Sequence, residues 1–299
     1  MLQAVVTLLM LSVIVFGLAR LTGDPASLMA PMEATEADLA NLRASMGLDK
    51  PLPVQYWIFV SNAVQGDFGD SIKWNRPAAE MIVERFPATL ILSLAAMVFG
   101  LLLAIPVGIL SAVKRDTWFD NVGKIIALIG QSMPTFWFGI LLILVFSLHL
   151  RLLPTSGYGI GTHMILPTVT LGFFVAASIM RITRSAMLDA LEADYVRTAR
   201  SKGVPEWRII LVHALKNGAI PILTITALQA ATILRGAVVT ETVFAWPGIG
   251  KVAIDAVYGR DFPLVQASVM FMGVVFLAVN LLVDIAYLAL DPRISYKKK

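Results

Sequence analysis

FPATLILSLAAMVFGLLLAIPVGILSAV, residues 86–113, carries no Asp, Glu, Lys or Arg from one end to the other. As a helix this stretch rises about 42 Å at 1.5 Å per residue, and a bilayer's hydrocarbon core is about 30 Å thick, so it is long enough to cross. The segment therefore predicts a membrane-spanning helix. Outward from it, residues 125–148 also hold no charge, 264–283 run uncharged up to Asp284, and 152–180 include a helix-length run after Pro167. Residues 1–19 are apolar but short, and 218–240 are interrupted by Arg235 alone. The expected fold is all-α and integral to the membrane, with about six spans near 3–20, 89–113, 123–148, 167–187, 218–240 and 265–290.

The composition agrees with this. Of 299 residues 58% are hydrophobic and 15% charged, with a mean hydropathy of +0.78, too little polar surface to wrap a soluble core. The first span also resembles a signal peptide, because it is short and Gly17-Leu18-Ala19 suits a small-residue cleavage site; the missing basic flank argues for a retained helix. Cysteine is absent, so neither a disulfide framework nor a thiolate metal site is available. The net charge of +4 does not point to nucleic acid, since in a membrane protein the placement of Lys and Arg carries the information.

With a cytoplasmic N-terminus and six spans, the loops 114–124 and 188–217 and the C-terminal tail share the cytoplasmic side. They hold Lys114, Arg115, Lys124, Arg197, Arg200, Lys202, Arg208, Lys216, Arg293 and Lys297 to Lys299, whereas the short outer loops hold only Arg151, Lys251 and Arg260. That distribution obeys the positive-inside rule. The expected domains are a first transmembrane helix (1–22), an extracytoplasmic segment with short helices (23–88) and a permease-like core of five spans (89–299). In the outer segment Thr35 and Asp38 mark a helix start, Leu39, Leu42 and Met46 one apolar face, and Gly47 a stop. After Pro51-Leu52-Pro53, the run Tyr56-Trp57-Ile58-Phe59-Val60 suits a membrane–water boundary. Two readings stay open for this segment, a cover over the helix ends and a docking surface for an external protein.

The loop 188–217 reads as two short helices with a break between them. Gly203 ends the first, Pro205 opens the second, and Glu206 is favourable near that N-terminus. Trp207, Ile210, Leu211, Ala214 and Leu215 then recur at helical spacing, beside polar Arg208, Lys216 and Asn217. Such a helix lies on the lipid surface or sits in the groove of a cytoplasmic partner.

Residues 194–203, Asp194-Tyr195-Val196-Arg197-Thr198-Ala199-Arg200-Ser201-Lys202-Gly203, with His213-Ala214-Leu215-Lys216-Asn217 further on, resemble the ATPase-coupling loop of the dipeptide/oligopeptide/nickel branch of ABC-importer permeases. The general importer consensus places Glu-Ala-Ala ahead of a glycine; this chain has Arg197-Thr198-Ala199 there and keeps Ala199 and Gly203, a departure usual in the peptide branch. The resemblance continues through Gly23-Asp24-Pro25-Ala26, Gly66-Asp67-Phe68-Gly69, Pro134-Thr135-Phe136-Trp137, Leu153-Pro154 with Gly157, the run Glu241-Thr242-Val243-Phe244-Ala245-Trp246-Pro247-Gly248-Ile249-Gly250, and Asp291-Pro292-Arg293.

That family implies a type I ABC-importer fold in a bacterial inner membrane. It further implies a second, homologous permease, two ATPase subunits or one fused pair, and an extracytoplasmic solute-binding protein. Coupling would fall to Asp194, Tyr195, Arg197, Ala199, Arg200, Gly203, Trp207, Arg208 and His213. The chain has no Gly-x-x-x-x-Gly-Lys-Ser/Thr phosphate loop, so ATP and Mg are expected on the partner ATPases and no cofactor here. His149, His163 and His213 form neither a zinc helix nor a nucleophile triad.

An ionisable residue within a span is expensive and tends to face a bundle interior or a water-filled path. Arg235 is such a residue. It either forms a structural ion pair, with Asp284 or the partner permease, or lines the path and attracts an anionic group of the solute, with Gln229 on the same span. Glu241 and the Trp246-Pro247-Gly248 turn suit an outer gate, or Glu241 caps the element that follows; Asp284 reads as a packing partner. An integral-membrane enzyme would need convergent acids, histidines or metal ligands, and a secondary transporter often shows internal repeats and paired broken helices. The sequence displays none of these signs, and the expected function is import by alternating access.

Overall fold

The computed structural model describes residues 2–21, 26–27, 35–45 and 47–290. Met46, Gly23-Asp24-Pro25 and Asp291-Pro292-Arg293 lie outside the described residues, as does the side chain of Leu42. Among the described residues the regular structure is helical, apart from one isolated antiparallel bridge between Asp70 and Pro77. The helices are α1 (Leu2–Leu21), α2 (Glu36–Ser45), α3 (Leu52–Val64), α4 (Ala78–Val113), α5 (Trp118–Ser132), α6 (Thr135–Leu142), α7 (Thr162–Glu192), α8 (Asp194–Ser201), α9 (Glu206–Arg208), α10 (Leu215–Val243), α11 (Ile249–Tyr258) and α12 (Phe262–Leu290). Five helical stretches are long and apolar enough to cross a membrane, and a sixth crossing is counted if one bent pair is taken as a single span.

That bent pair lies over the span expected near 123–148 and adds a bend that the hydropathy reading does not contain. Trp118–Ser132 and Thr135–His149 meet at 110°. The cause is local: Pro134 lacks an N–H and bars the residue before it from helical geometry, so Met133 is extended at ψ 129°. Beyond α6 the helix continues through the π-helical turn Ile143–His149.

A correction concerns the loop 188–217. Its first helix is α8, and Gly203, at φ +73°, makes the turn after it. The second is not a separate short helix. From Glu206 the chain stays helical to Val243, passing through a π-helical stretch at Ile209–Ala214. Gly218 and Pro221 sit inside α10. The first expected helix therefore hangs on a turn, whereas the second is the foot of a membrane span.

The chain divides into two compact units, one of residues 1–88 with 247–277 and one of 89–246 with 278–299. The first unit thus takes in 247–277, which the hydropathy reading grouped with the five-span core. Within it, α2 begins with a reciprocal cap: the Asp38 amide donates to Thr35 Oγ1 at 3.3 Å, while the Thr35 amide and hydroxyl donate to the Asp38 carboxylate at 3.0 and 2.7 Å. The bonds from Thr35 hold the Asp38 carboxyl below its ordinary range. Tyr56 and Phe59 of α3 turn onto α1, where Tyr56 Oη lies 2.8 Å from Ser12 Oγ and both rings pack on Phe16. Asp67 Oδ1 accepts the Gly69 amide, with Gly66 and Gly69 at positive φ, and Phe68 enters a cluster with Ile82, Ile249 and Leu264. Buried Asp261 accepts bonds from the Ser71 hydroxyl and the amides of Lys73 and Leu264.

In the second unit α7 packs chiefly on α10 and α5. Its contact with α4 is set by small residues at four-residue spacing, Ala96, Gly100, Ala104, Gly108 and Ala112. A Cβ on Gly108 would stand 2.7 Å from Thr183, and one on Gly172 would stand 2.6 Å from the Ala96 carbonyl oxygen. Membrane helices gain little from hydrophobicity against one another in lipid, so close backbone approach through small residues supplies the packing instead. The opposite face of α4 displays Leu90, Leu94, Val98 and Leu102, as a lipid-facing surface does.

Candidate functional site

The coupling segment is rooted in the second unit and exposed at its tip. Val196 of α8 and Ile209 and Ala214 of the π-helical stretch are fully buried. Ala214 joins Ile109 and Ala112 of α4 and Met187 and Ala190 of α7 in one apolar cluster, with Ile210 and Leu215 packed against it. Trp207, Leu211 and Val212 stay exposed, as does Tyr195. The single apolar face expected for Trp207, Ile210, Leu211, Ala214 and Leu215 is therefore split in two. The physical reason is the i→i+5 bonding of the π-helical stretch, which widens the turn and carries residues out of the 3.6 register. Ile209, missed by that pattern, is the buried anchor.

Across the break, the Arg200 guanidinium donates from Nε and Nη2 to the Glu206 carboxylate at 2.7 and 3.3 Å. This bond raises the already high pKa of Arg200, and the pair clips α8 to α9. Both side chains are about half exposed, so the clip orients more than it stabilises, as surface ion pairs contribute about 1 kcal/mol at most. Arg197 lies 3.5 Å from Asp194, and the Arg208 guanidinium sits over the Trp207 ring at 5.6 Å. Asp194, Arg197, Arg200, Gly203 and Arg208 are exposed, while Ala199 and His213 are half-buried. One segment thus presents a mixed aromatic and basic surface.

The residues expected on a solute path, Gln229, Arg235 and Glu241, all lie on α10 and differ in burial. Gln229 is buried, and its Nε2 has no hydrogen-bond partner among the described residues. Arg235, six residues later on α10, is exposed. Asp284 is exposed and forms no ion pair among the described residues. Glu241 is wholly buried and accepts the Thr89 hydroxyl of α4 at 2.6 Å. Its carbonyl also serves the turn that follows, accepting the Trp246 amide at 2.8 Å.

Around Glu241 two distant motifs become one node. The Gly157 amide donates to the Phe244 carbonyl at 3.1 Å, and the Tyr158 ring meets Trp246 edge-on at 4.8 Å. Gly139 lies against Phe244, where a Cβ would come within 3.2 Å of the ring. Phe244 and Trp246 are among the largest fully buried side chains, and Ala245 between them takes a positive φ of 48°.

One arrangement went unseen in the sequence. Asp120, fully buried in the first turn of α5, receives the Arg184 fork of α7 at 2.6 and 2.8 Å, Lys124 at 2.8 Å and the Asp116 amide at 3.1 Å. Read singly, Lys124 was only a topology charge. The available signal was an acid three residues after a potential cap, Thr117, at the head of a helix whose later turns are largely apolar.

These features, a bent third span, a rooted exposed segment and a packed node around Phe244 and Trp246, belong to a multi-span helical membrane protein. Residues 104–296 match the family described as "Binding-protein-dependent transport system inner membrane component", and residues 1–95 match "Binding-prot-dependent transport system membrane comp, N-term". The chain belongs to this family and is the permease subunit of an ABC importer, a multi-pass inner-membrane protein. The glutathione transport system permease protein GsiC of Salmonella choleraesuis (strain SC-B67) is 44% identical over 292 residues, covering 97% of this chain and 95% of the relative. GsiC of Escherichia coli (strain K12) is 45% identical over the same shares. Among solved structures, the MetNI methionine ABC transporter in an inward facing conformation has the same fold, with a TM-score of 0.60 over 71% of this chain and 96% of that chain at 17% identity. A permease of this kind works with ATPase and binding-protein partners.

Proposed function

We propose that this chain is one of two homologous permeases in an importer for peptide-like anions of about the size of glutathione. Two ATPase subunits, carrying ATP and Mg, grip the segment 194–215, and a binding protein delivers solute from outside. The observation that carries the reading is the exposed Tyr195, Trp207, Leu211 and Val212 surface on a segment whose root is buried among α4 and α7. A patch so built passes displacement into the spans. When ATP closes the ATPase pair, the two coupling segments are drawn together and the permeases open outward; hydrolysis resets them. The relatives named for glutathione transport support the solute class, since identity to them runs along the whole chain.

Because the chain has no cysteine, single cysteines at Tyr195 or Trp207 allow unambiguous crosslinking in the assembled transporter. Capture of an ATPase subunit is expected, and capture of lipid alone would refute the reading. Arg235 takes part by drawing the anionic solute along α10. Arg235→Ala is expected to reduce uptake of glutathione about tenfold and of a neutral peptide far less, a difference of about 1.4 kcal/mol. An equal loss for both removes the charge-recognition role.

A further inference from the structure

We infer that the buried Asp120–Arg184 pair is a strut that makes α5 and α7 move as one body and so carries the stroke of the coupling helix into the bent third span. The inference rests on the importer reading and goes beyond it, because nothing in that reading assigns a role to α5.

Three observations support it. Asp120 is completely buried, and its carboxylate is held from three directions by Arg184, Lys124 and the Asp116 amide. A bidentate guanidinium–carboxylate fork fixes orientation as well as distance, and the burial of Asp120 makes release of Arg184 unfavourable. Second, the two helices are close along their length: a Cβ on Gly130 of α5 would stand 2.7 Å from the Ala177 Cβ of α7. The strut closes the end of this tight contact. Third, α7 continues to Glu192, and only Ala193, in extended geometry, separates it from α8. Arg184 therefore sits about 15 Å along the helix from the coupling helix, on the element that the coupling helix would push.

A second link, Arg115 to Glu192 at 2.8 Å, joins the loop before α5 to the last turn of α7, but both side chains are exposed. It provides an internal comparison. The buried fork holds, whereas the exposed pair exchanges with water and counter-ions.

The test uses the complete transporter, with both permeases, the ATPases and the binding protein as purified. Spin labels on Val122→Cys of α5 and Ser185→Cys of α7, both exposed positions, report the helix–helix distance in nucleotide-free and ATP-trapped states. The distance is expected to change by less than about 2 Å, well below the one-turn displacement of about 5.4 Å by which one element ratchets past another. A larger change between states overturns the strut. Stimulation of ATPase activity by the binding protein is the second readout. Asp120→Asn is expected to lower that stimulation about tenfold, within the usual range of coupling between sites, while unstimulated hydrolysis persists; Asp120→Glu restores part of it, and Arg115→Ala leaves it unchanged. Unaltered stimulation in Asp120→Asn, or an equal fall in Arg115→Ala, overturns the strut. If the unsubstituted assembly shows no binding-protein-stimulated hydrolysis, it is the underlying importer reading that fails.

Discussion

Trp207→Ala is expected to weaken the grip of the ATPase subunits on this permease by about 2 kcal/mol, or about thirtyfold in affinity. Trp207 is 59% exposed although it is the largest apolar side chain in the coupling segment, and an aromatic presented at the tip of a rigid element is the type of residue that dominates interface energetics. Leu211, 52% exposed and one turn further on, adds to the same surface. Ile209 separates contact from folding. It is wholly buried, so Ile209→Ala removes core packing and destabilises the permease by about 2–5 kcal/mol, lowering its melting temperature in detergent. Trp207→Ala leaves that temperature nearly unchanged while the ATPase co-purifies poorly. Full retention of the ATPase by Trp207→Ala would place the contact elsewhere.

Gly172→Val is expected to lower the stability of the folded permease by about 3 kcal/mol or more, because a side chain there has no room to relax. The nearest atoms to a new Cβ are the Ala96 carbonyl oxygen at 2.6 Å and the Phe99 ring at 2.7 Å. The oxygen belongs to the backbone of α4, so the helices themselves must separate, and with them the small-residue contact that runs through Gly100 and Gly108 toward the coupling root. Gly17→Ala is the matched comparison, as a Cβ on Gly17 meets nothing within 4 Å. Thermal unfolding in detergent should separate the two clearly. A Gly172→Val protein as stable as the unsubstituted chain would show that α4 and α7 are not in this close approach.

The exposed parts of the coupling segment were legible because their chemistry is local. Gly203 at positive φ and Pro205 make a break in any surroundings, and Arg200 and Glu206 lie close enough in the chain to meet across it. Legibility failed wherever a partner came from a distant helix. Asp120 and Arg184 are separated by 64 residues, so neither charge announces the other. Glu241 likewise accepts a bond from Thr89 on α4, 152 residues away in the chain. The bend at Met133-Pro134 was masked by hydropathy, which counts apolar residues and is blind to their direction. The apolar stripe after Trp207 failed for a related reason, since a π-helical stretch shifts register without any residue type that marks it.

By itself the sequence determined that the chain is a bundle of membrane helices, where its charges lie and which short segment stands outside the apolar runs, because each depends on the transfer of single residues or on backbone limits at glycine and proline. The tertiary structure alone decided that the coupling segment is rooted through Ala214 against α4 and α7, that Asp120 is held by Arg184, and that Gly157 and Phe244 share one node. Those are pairings between distant segments, set by helix-to-helix contact at small residues, and the order of residues along one helix carries no record of which face of another it will meet.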